Sequence, residues 1–139
     1  MINKVYITFD DINKYIDDVV KYFKSINVKP KGVYGIPRGG LVFAVLLSYR
    51  MDIPMLLAPC EGCVVIDDIA DTGRTLAHFT ENETQFNKYY ITTMFYNSNA
   101  CEVKVDFYER EKMGDWIVFP YEVDNDDALK HEEALKNKK

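Results

Sequence analysis

The 139-residue sequence lacks several features that mark other classes of protein. No apolar run approaches the roughly 20 residues that a membrane-spanning helix needs. Positive charge is in deficit, because 17 Lys and Arg residues face 22 Asp and Glu residues and the net charge is −5. Nucleic-acid-binding surfaces are normally basic, so we expect no nucleic-acid partner. Met1-Ile2-Asn3-Lys4 lacks the basic and apolar regions of a secretory signal, and we expect a cytoplasmic protein without membrane contact.

Cysteine is scarce, with Cys60, Cys63 and Cys101 its only members. The first two have the C-x-x-C spacing that occurs in zinc and redox sites. A structural zinc ion needs a second ligand pair, and neither Cys101 nor the histidines His78 and His131 are spaced as one. We therefore expect reduced thiols without a metal, and a redox switch is the weaker hypothesis.

The residues that are present are typical of one globular domain, with 47% hydrophobic and 28% charged residues and no internal repeat. Strands are predicted at residues 4–9, 32–36, 53–58, 63–66, 89–96, 103–108 and 116–119. Helices are predicted from about residue 11 to 26, from 41 to 51, and from 75 into the low eighties. This alternation indicates an α/β fold with a doubly wound, mostly parallel sheet, in which ligands bind beyond the carboxyl ends of the strands.

The two longer predicted helices have different patterns. Thr8 or Asp10 can cap the first, whose apolar residues recur at helical spacing. These residues are Ile12, Tyr15, Ile16, Val19, Tyr22, Phe23 and Ile26. The helix from Leu41 to Met51 is apolar nearly all round, so we expect it to be buried against the sheet.

The most informative segment, residues 64–76, has the sequence Val-Val-Ile-Asp-Asp-Ile-Ala-Asp-Thr-Gly-Arg-Thr-Leu. An apolar strand leads to the adjacent carboxylates Asp67 and Asp68, and a turn of small residues then begins a helix. Backbone N–H groups at such a turn suit a phosphate group, whereas the carboxylates would repel one. The carboxylates make sense if the ligand also carries sugar hydroxyls or a divalent metal. No Gly-x-x-x-x-Gly-Lys-Ser/Thr occurs, so the site is not a P-loop, and a phosphorylated sugar is predicted.

This segment resembles the phosphoribosyl diphosphate (PRPP) motif of the type I phosphoribosyltransferases. The resemblance implies that Asp67 and Asp68 hold the ribose hydroxyls directly or through Mg²⁺. Adjacent strand residues point to opposite faces, which favours Asp68 for the metal. It also implies that Asp71 acts as general acid and base near the nucleobase. The 5′-phosphate would be cradled by the turn residues Thr72, Gly73, Arg74 and Thr75.

A second segment, Gly35-Ile36-Pro37-Arg38-Gly39-Gly40, resembles the pyrophosphate loop of the same family. Gly39 and Gly40 let the backbone approach phosphate oxygens, and Arg38 adds a charged donor fork. In the family, the peptide bond before this basic residue is often cis. Many members pair through the face around this loop, so a homo-oligomer is compatible with the resemblance.

A third segment, Asp115-Trp116-Ile117-Val118-Phe119-Pro120-Tyr121-Glu122, is similar to the Trp-Ile-x-x-Pro-Trp-Asp/Glu segment of xanthine-guanine phosphoribosyltransferases. The similarity implies that Trp116 stacks on a purine and that the Ile117 main chain contacts the base edge. Ungapped alignment places Asn97 among the base-binding residues, where 6-oxopurine enzymes carry a lysine. A tight turn at residues 58–63 replaces the long mobile loop of relatives.

The family resemblance implies a function and a domain organisation. We expect Mg²⁺-dependent transfer of ribose 5-phosphate from PRPP to a purine-like base (xanthine, guanine or hypoxanthine), with release of pyrophosphate. The alternative is a regulatory module that binds PRPP or a nucleotide with weak or no transferase activity. The domain is predicted at residues 1–123, with a base-binding hood at about 97–123, and a charged tail follows at 124–139.

Overall fold

The computed structural model describes residues 3–80 and 88–122. The predicted tail at 124–139 lies outside the described residues, as does any continuation of the third helix beyond residue 80. The elements are β1 Lys4–Tyr6, α1 Phe9–Ser25, β2 Val33–Gly35, α2 Gly39–Met51, β3 Val64–Ala70, α3 Arg74–Thr80, β4 Tyr90–Tyr96, β5 Phe107–Glu111 and β6 Trp116–Val118. Within these two stretches, no helix has the length and apolar character needed to cross a membrane.

The main sheet is fully parallel and has the strand order β2-β3-β4-β5. β1 and β6 form a separate parallel pair, so β5 joins the main sheet while β6 lies outside it. Beside β2, an isolated parallel bridge joins Val33 to Met55. After β2 the chain first passes Met55 on one side of that strand and then forms β3 on its other side. The strand order therefore reverses at β2. Ligand sites in open α/β sheets lie at such a reversal.

Helices cover both faces of the main sheet, which confirms the doubly wound fold. Val64 and Ile66 of β3 belong to the core cluster that also contains the buried residues of α1 and α2. Val65 lies instead in the cluster that contains Leu76 of α3. Because alternate residues of a strand point to opposite faces, the two clusters lie on opposite sides of the sheet.

The start of α1 is fixed by a reciprocal cap. The Thr8 hydroxyl accepts a hydrogen bond from the Asp11 N–H at 3.0 Å, and the Asp11 carboxylate accepts one from the Thr8 N–H at 2.9 Å. This arrangement confirms Thr8 as the cap, and the helix begins at Phe9, two residues earlier than predicted. Ile26 follows the end of the helix and is 40% exposed. The residues that α1 buries are Ile12, Tyr15, Ile16, Val19 and Phe23.

The strand predicted at 53–58 is wrong, because only Met55 forms a bridge there. The Val33 N–H donates to the Pro54 carbonyl at 2.9 Å, and the Leu56 N–H donates to the Val33 carbonyl at 2.8 Å. Pro54 has no N–H to contribute to a ladder, and Leu57 is fully exposed, so the pairing stops after one residue.

The strand predicted at 103–108 is displaced, since β5 begins at Phe107. The alternating apolar residues Val103 and Val105 pack against the cluster around Leu76 instead of joining the sheet. The alternation of apolar residues in this segment therefore reflects side-chain burial and not pairing with a strand.

The second helix is buried against the sheet as predicted, although it packs on one side only. α2 buries Gly40, Phe43, Ala44 and Leu47 against the sheet and α1. The opposite side carries exposed apolar residues spaced by four, namely Leu41, Val45 and Tyr49. A helix that packs on one side only leaves such a row uncovered, and the uniform apolar pattern gave no sign of which row that would be.

Candidate active site

Two adjoining cavities lie at the carboxyl ends of β2 and β3. The tryptophan cavity, of about 330 Å³, falls within the range of roughly 300–1,000 Å³ usual for small-molecule sites. It is lined by Asp68, Ile69, Asp71, Lys112, Gly114, Asp115, Trp116, Ile117, Phe119 and Glu122. The more open arginine cavity, of about 720 Å³, is lined by Arg38, Gly39, Val42, Asp68, Tyr121 and Glu122. Asp68 and Glu122 line both, so the cavities form one continuous cleft.

The loop between β2 and α2 brings Arg38 and Gly39 to the arginine cavity, as predicted. The Pro37–Arg38 peptide bond is cis, which confirms the expectation from the family resemblance. A Cβ at residue 39 would collide with the Asp68 carboxylate, so Gly39 keeps the loop in contact with that side chain. Gly40 has a different role, because a Cβ there would lie 2.5 Å from the Ile66 carbonyl oxygen of β3. Gly40 therefore allows α2 to pack closely on the sheet and does not line either cavity.

The two adjacent carboxyl groups occupy different environments, because β3 continues through both. Asp67 is 6% exposed and accepts a hydrogen bond from the Asp68 N–H at 2.8 Å. Burial first, and then the charge of Asp68, raise the pKa of Asp67 to about 9, so its carboxyl is neutral at neutral pH. Asp68 is half-buried and presents its carboxylate to both cavities.

The Asp68 carboxylate is held in place by two donors. One oxygen accepts from the Ile69 N–H at 2.7 Å, and the other accepts from the Tyr121 hydroxyl at 3.3 Å. The Asp68 carboxylate is a hard oxygen donor, which suits Mg²⁺. Residues 3–80 and 88–122 contain no group of three or more His, Cys, Asp or Glu side chains that could enclose a metal. These residues fit an Mg²⁺ ion that takes most of its ligands from water and from a bound phosphate.

The turn after β3 brings Asp71 into the tryptophan cavity but leaves the next four residues outside both cavities. Gly73 has a φ of +87°, and a Cβ there would approach the Cys101 sulfur at 2.9 Å, so the turn requires glycine. The Thr72 hydroxyl accepts from the Arg74 N–H at 3.3 Å. Thr72, Arg74 and Thr75 are exposed beside the start of α3, and their predicted contact with a phosphate stays a prediction.

Asn97 contacts Asp71 and does not line the tryptophan cavity. Its amide nitrogen donates to the Asp71 carboxylate at 2.7 Å. Its amide oxygen accepts from the N–H groups of Asn99 and Ala100 at 3.1 and 3.2 Å. With both ends of the amide engaged, Asn97 is placed to orient Asp71.

Lys112 is a cavity residue that sequence reasoning missed. Its ammonium nitrogen lies 3.8 Å from an Asp71 carboxylate oxygen, and its side chain is only 13% exposed. The Lys112 N–H donates to the Tyr96 carbonyl at 2.8 Å, which fixes the backbone beside the end of β4. The only signal in the sequence was a lysine four residues before Trp116.

The segment from Trp116 to Glu122 forms the remaining wall of the cleft. Trp116 and Ile117 pair with Lys4 and Val5 of β1, and both line the tryptophan cavity as predicted. Glu122, which received no role from the sequence, caps the backbone by accepting from the Phe119 N–H at 2.8 Å.

The turn at residues 58–63 is tight, as the sequence predicted. The Cys63 N–H donates to the Cys60 carbonyl at 3.1 Å, and β3 begins at the next residue. Cys63 is buried, and burial raises the pKa of its thiol to about 11, so the reactive thiolate is scarce at neutral pH. Cys60 is exposed. The chemistry of this pair does not favour a redox switch.

No protein-family model matches the chain. It is 26% identical over 118 residues to the xanthine-guanine phosphoribosyltransferase of Desulfotalea psychrophila, with 68% of this chain and 72% of the relative covered. It is 29% identical over 116 residues to that of Nitratidesulfovibrio vulgaris, with 66% and 69% covered.

The fold is also similar to that of solved phosphoribosyltransferases. The purine phosphoribosyltransferase of Pyrococcus horikoshii matches with a TM-score of 0.74 and 28% identity, covering 88% of this chain and 96% of the other. The Helicobacter pylori xanthine-guanine-hypoxanthine phosphoribosyltransferase matches with a TM-score of 0.75 and 20% identity, covering 95% and 99%. These similarities confirm the resemblance that was drawn from the PRPP motif, and they confirm the fold class.

Proposed function

We propose that this chain, a type I phosphoribosyltransferase close to the xanthine-guanine enzymes, transfers ribose 5-phosphate from PRPP to a 6-oxopurine base and releases pyrophosphate. The observation that carries the proposal is the continuous cleft in which Asp68 lies between Arg38 and the sole tryptophan, Trp116. A sugar at Asp68 would have its diphosphate toward Arg38 and the incoming base against Trp116.

Arg38 and Asp68 would bind neighbouring parts of PRPP, namely its diphosphate and its ribose. The guanidinium of Arg38 can donate paired hydrogen bonds to diphosphate oxygens. Asp68, which faces the cleft, would hold the ribose hydroxyls and an Mg²⁺ ion, and the predicted contact of the buried Asp67 with them stays a prediction. The bound Mg²⁺ would neutralise the charge that builds on the departing pyrophosphate. The turn residues Thr72, Gly73, Arg74 and Thr75 would bind the 5′-phosphate.

Asp71 would control the proton of the base. In the substitution, the bond between the anomeric carbon and the pyrophosphate oxygen breaks, and a bond from that carbon to a ring nitrogen of the base forms. The proton on that nitrogen passes to the Asp71 carboxylate, which acts as general base. The hydrogen bond from Asn97 holds the carboxylate in position for this transfer. Trp116 would stack on the purine ring and align the nitrogen with the sugar.

The experiment is an assay of pyrophosphate release from PRPP and Mg²⁺ with hypoxanthine, guanine, xanthine, adenine and uracil in turn. We expect turnover with at least one 6-oxopurine and formation of the matching nucleoside monophosphate. PRPP binding without turnover across the whole panel would support the regulatory alternative, which the transferase names of the relatives do not favour. Absence of both binding and turnover would contradict the proposal.

A further inference from the structure

We propose that the loop at residues 97–103, here called the supporting loop, positions the turn after β3 for the 5′-phosphate, with Cys101 as its main positioning residue. The inference rests on the proposed transferase function and adds to it a part of the chain that lies outside the cleft. The supporting loop follows β4 and lines neither cavity. It contacts the turn after β3 at Thr72 and Gly73, in addition to the contact of Asn97 with Asp71.

Gly73 lies directly against the supporting loop. It is buried, and a Cβ built on it would approach the Cys101 sulfur at 2.9 Å. The same Cβ would lie 3.1 Å from the Glu102 nitrogen and 3.2 Å from the Val103 nitrogen. Three consecutive loop residues therefore leave no room between the loop and the turn. Because protein interiors are close-packed, a larger side chain at residue 101 must push Gly73 away.

The supporting loop also sets the direction of a backbone donor in the turn. The Glu102 N–H donates to the Thr72 carbonyl at 3.2 Å, so that carbonyl faces the loop. The C=O and N–H of a trans peptide point in opposite directions, and the Gly73 N–H therefore points away from the loop. Within residues 3–80 and 88–122, this N–H has no hydrogen-bond partner. A backbone N–H of a buried residue normally has one, and a phosphate oxygen would supply it.

The supporting loop is itself held at both ends. The Ser98 N–H and hydroxyl both donate to the Glu111 carboxylate of β5, at 2.7 and 2.8 Å. At the other end, the Cys101 thiol donates to the Val103 carbonyl at 3.2 Å, and both side chains pack against the cluster around Leu76. A loop fixed in this way cannot absorb a larger side chain by moving back. We therefore expect an enlargement at Cys101 to be transmitted to the turn.

The test compares Cys101→Leu with the wild type and with Cys60→Leu, the same substitution at an exposed cysteine. In Cys101→Leu the KM for PRPP should rise about tenfold or more, the scale of a lost charge-assisted hydrogen bond. The KM for the base should stay within about threefold of the wild type, because the supporting loop does not line the tryptophan cavity. Cys60→Leu should match the wild type. Cys101→Ser, which is close in size and keeps a donor for the Val103 carbonyl, should rescue the KM for PRPP.

Direct binding separates an effect on the phosphate from general damage to the fold. Inosine 5′-monophosphate and inosine differ only in the 5′-phosphate, and the fluorescence of Trp116 follows the binding of both. In Cys101→Leu, the Kd of the monophosphate should rise about tenfold or more while the Kd of inosine stays within about threefold. The advantage that the phosphate gives in binding should therefore shrink. A merely structural defect would weaken both ligands together.

Cys101→Val adds less bulk and keeps the inference testable if Cys101→Leu does not fold. It should show the same selective loss of PRPP and monophosphate affinity, at a smaller size. An active wild type whose two enlarged variants keep its KM for PRPP would overturn the inference alone, as would an equal loss of affinity for the monophosphate and for inosine. A wild type that neither binds PRPP nor releases pyrophosphate would overturn the proposed function and this inference with it.

Discussion

At the residue scale, Asp67 and Asp68 differ because one is buried and neutral and the other faces the cleft. Asp68→Asn removes the charge that would hold Mg²⁺ and the ribose, and PRPP affinity should fall by about tenfold or more, the scale of a lost charge-assisted hydrogen bond. Asp67→Asn replaces a neutral carboxyl with a neutral amide, so its free energy of unfolding at pH 7 should stay within about 1 kcal/mol of the wild type. Calorimetric titration and urea unfolding measure the two effects. Equal PRPP affinity in Asp68→Asn and the wild type would exclude Asp68 from the site.

Two neighbouring glycines offer a matched pair of substitutions. In Gly40→Ala the new methyl group meets the backbone of β3, which cannot move aside, so stability should fall by about 1–3 kcal/mol. In Gly39→Ala it meets the carboxylate of Asp68, a side chain that can rotate away. We expect Gly39→Ala to lose PRPP binding with the smaller loss of stability. Thermal unfolding and PRPP titration of both variants check this, and the reverse order of effects would contradict the assigned roles.

At the same scale, the predicted residues that line the cleft are placed there by local geometry. Arg38 follows β2 and Asp68 lies in the last part of β3, and parallel strands bring such positions to one edge. Lys112 was missed because its place beside Asp71 depends on where β5 ends. The contact between Asn97 and Asp71 depends on a side-chain hydrogen bond, and no pattern of residues indicates it.

At the element scale, the cap of α1 predicts a pH-dependent contribution to stability. The Thr8 N–H, together with the nearby Arg110 charge, holds the pKa of Asp11 below its usual value although burial opposes this. A carboxyl with a lowered pKa stabilises the fold above its unfolded pKa of about 3.9, and the contribution is lost as the pH falls through its lower folded value. Asp11→Asn should therefore be less stable than the wild type at pH 7, by about 1 kcal/mol, and the difference should shrink below about pH 4.

Urea unfolding of Asp11→Asn between pH 3 and pH 7 is the measurement, with Asp10→Asn in the same helical turn as the control. Thr8→Ala, which removes the other half of the cap, should lose a similar amount at pH 7. A constant difference between Asp11→Asn and the wild type at every pH would show that the charge of Asp11 is not what stabilises the helix.

The elements that the sequence predicted well carry their own stop and start signals. Thr8 begins α1, and the acidic doublet marks the end portion of β3. The strand predictions for residues 53–58 and 103–108 were wrong because a strand needs a pairing partner as well as a suitable residue pattern. In segment 53–58, Pro54 has no N–H to extend the pairing with β2. In segment 103–108, Val103 and Val105 pack their side chains against the cluster around Leu76 and do not pair with a strand.

At the scale of the whole molecule, the reversal of strand order brings three distant segments into one cleft. The loop at Arg38, the strand end at Asp68 to Asp71, and the wall from Lys112 to Glu122 meet there. Alternating strands and helices were enough to predict that a cleft lies at this edge of the sheet. The closing wall could not be predicted in the same way, because it depends on β6 pairing with β1 from the other end of the chain.

The central claim is that this cleft binds a ribose carrying a phosphate at one end and a diphosphate at the other. Calorimetric titration of the protein with PRPP in the presence of Mg²⁺ tests it most directly. We predict saturable binding at one site per chain, which weakens when Mg²⁺ is chelated. No heat of binding with or without Mg²⁺, from a protein that is folded by thermal unfolding, would contradict the account.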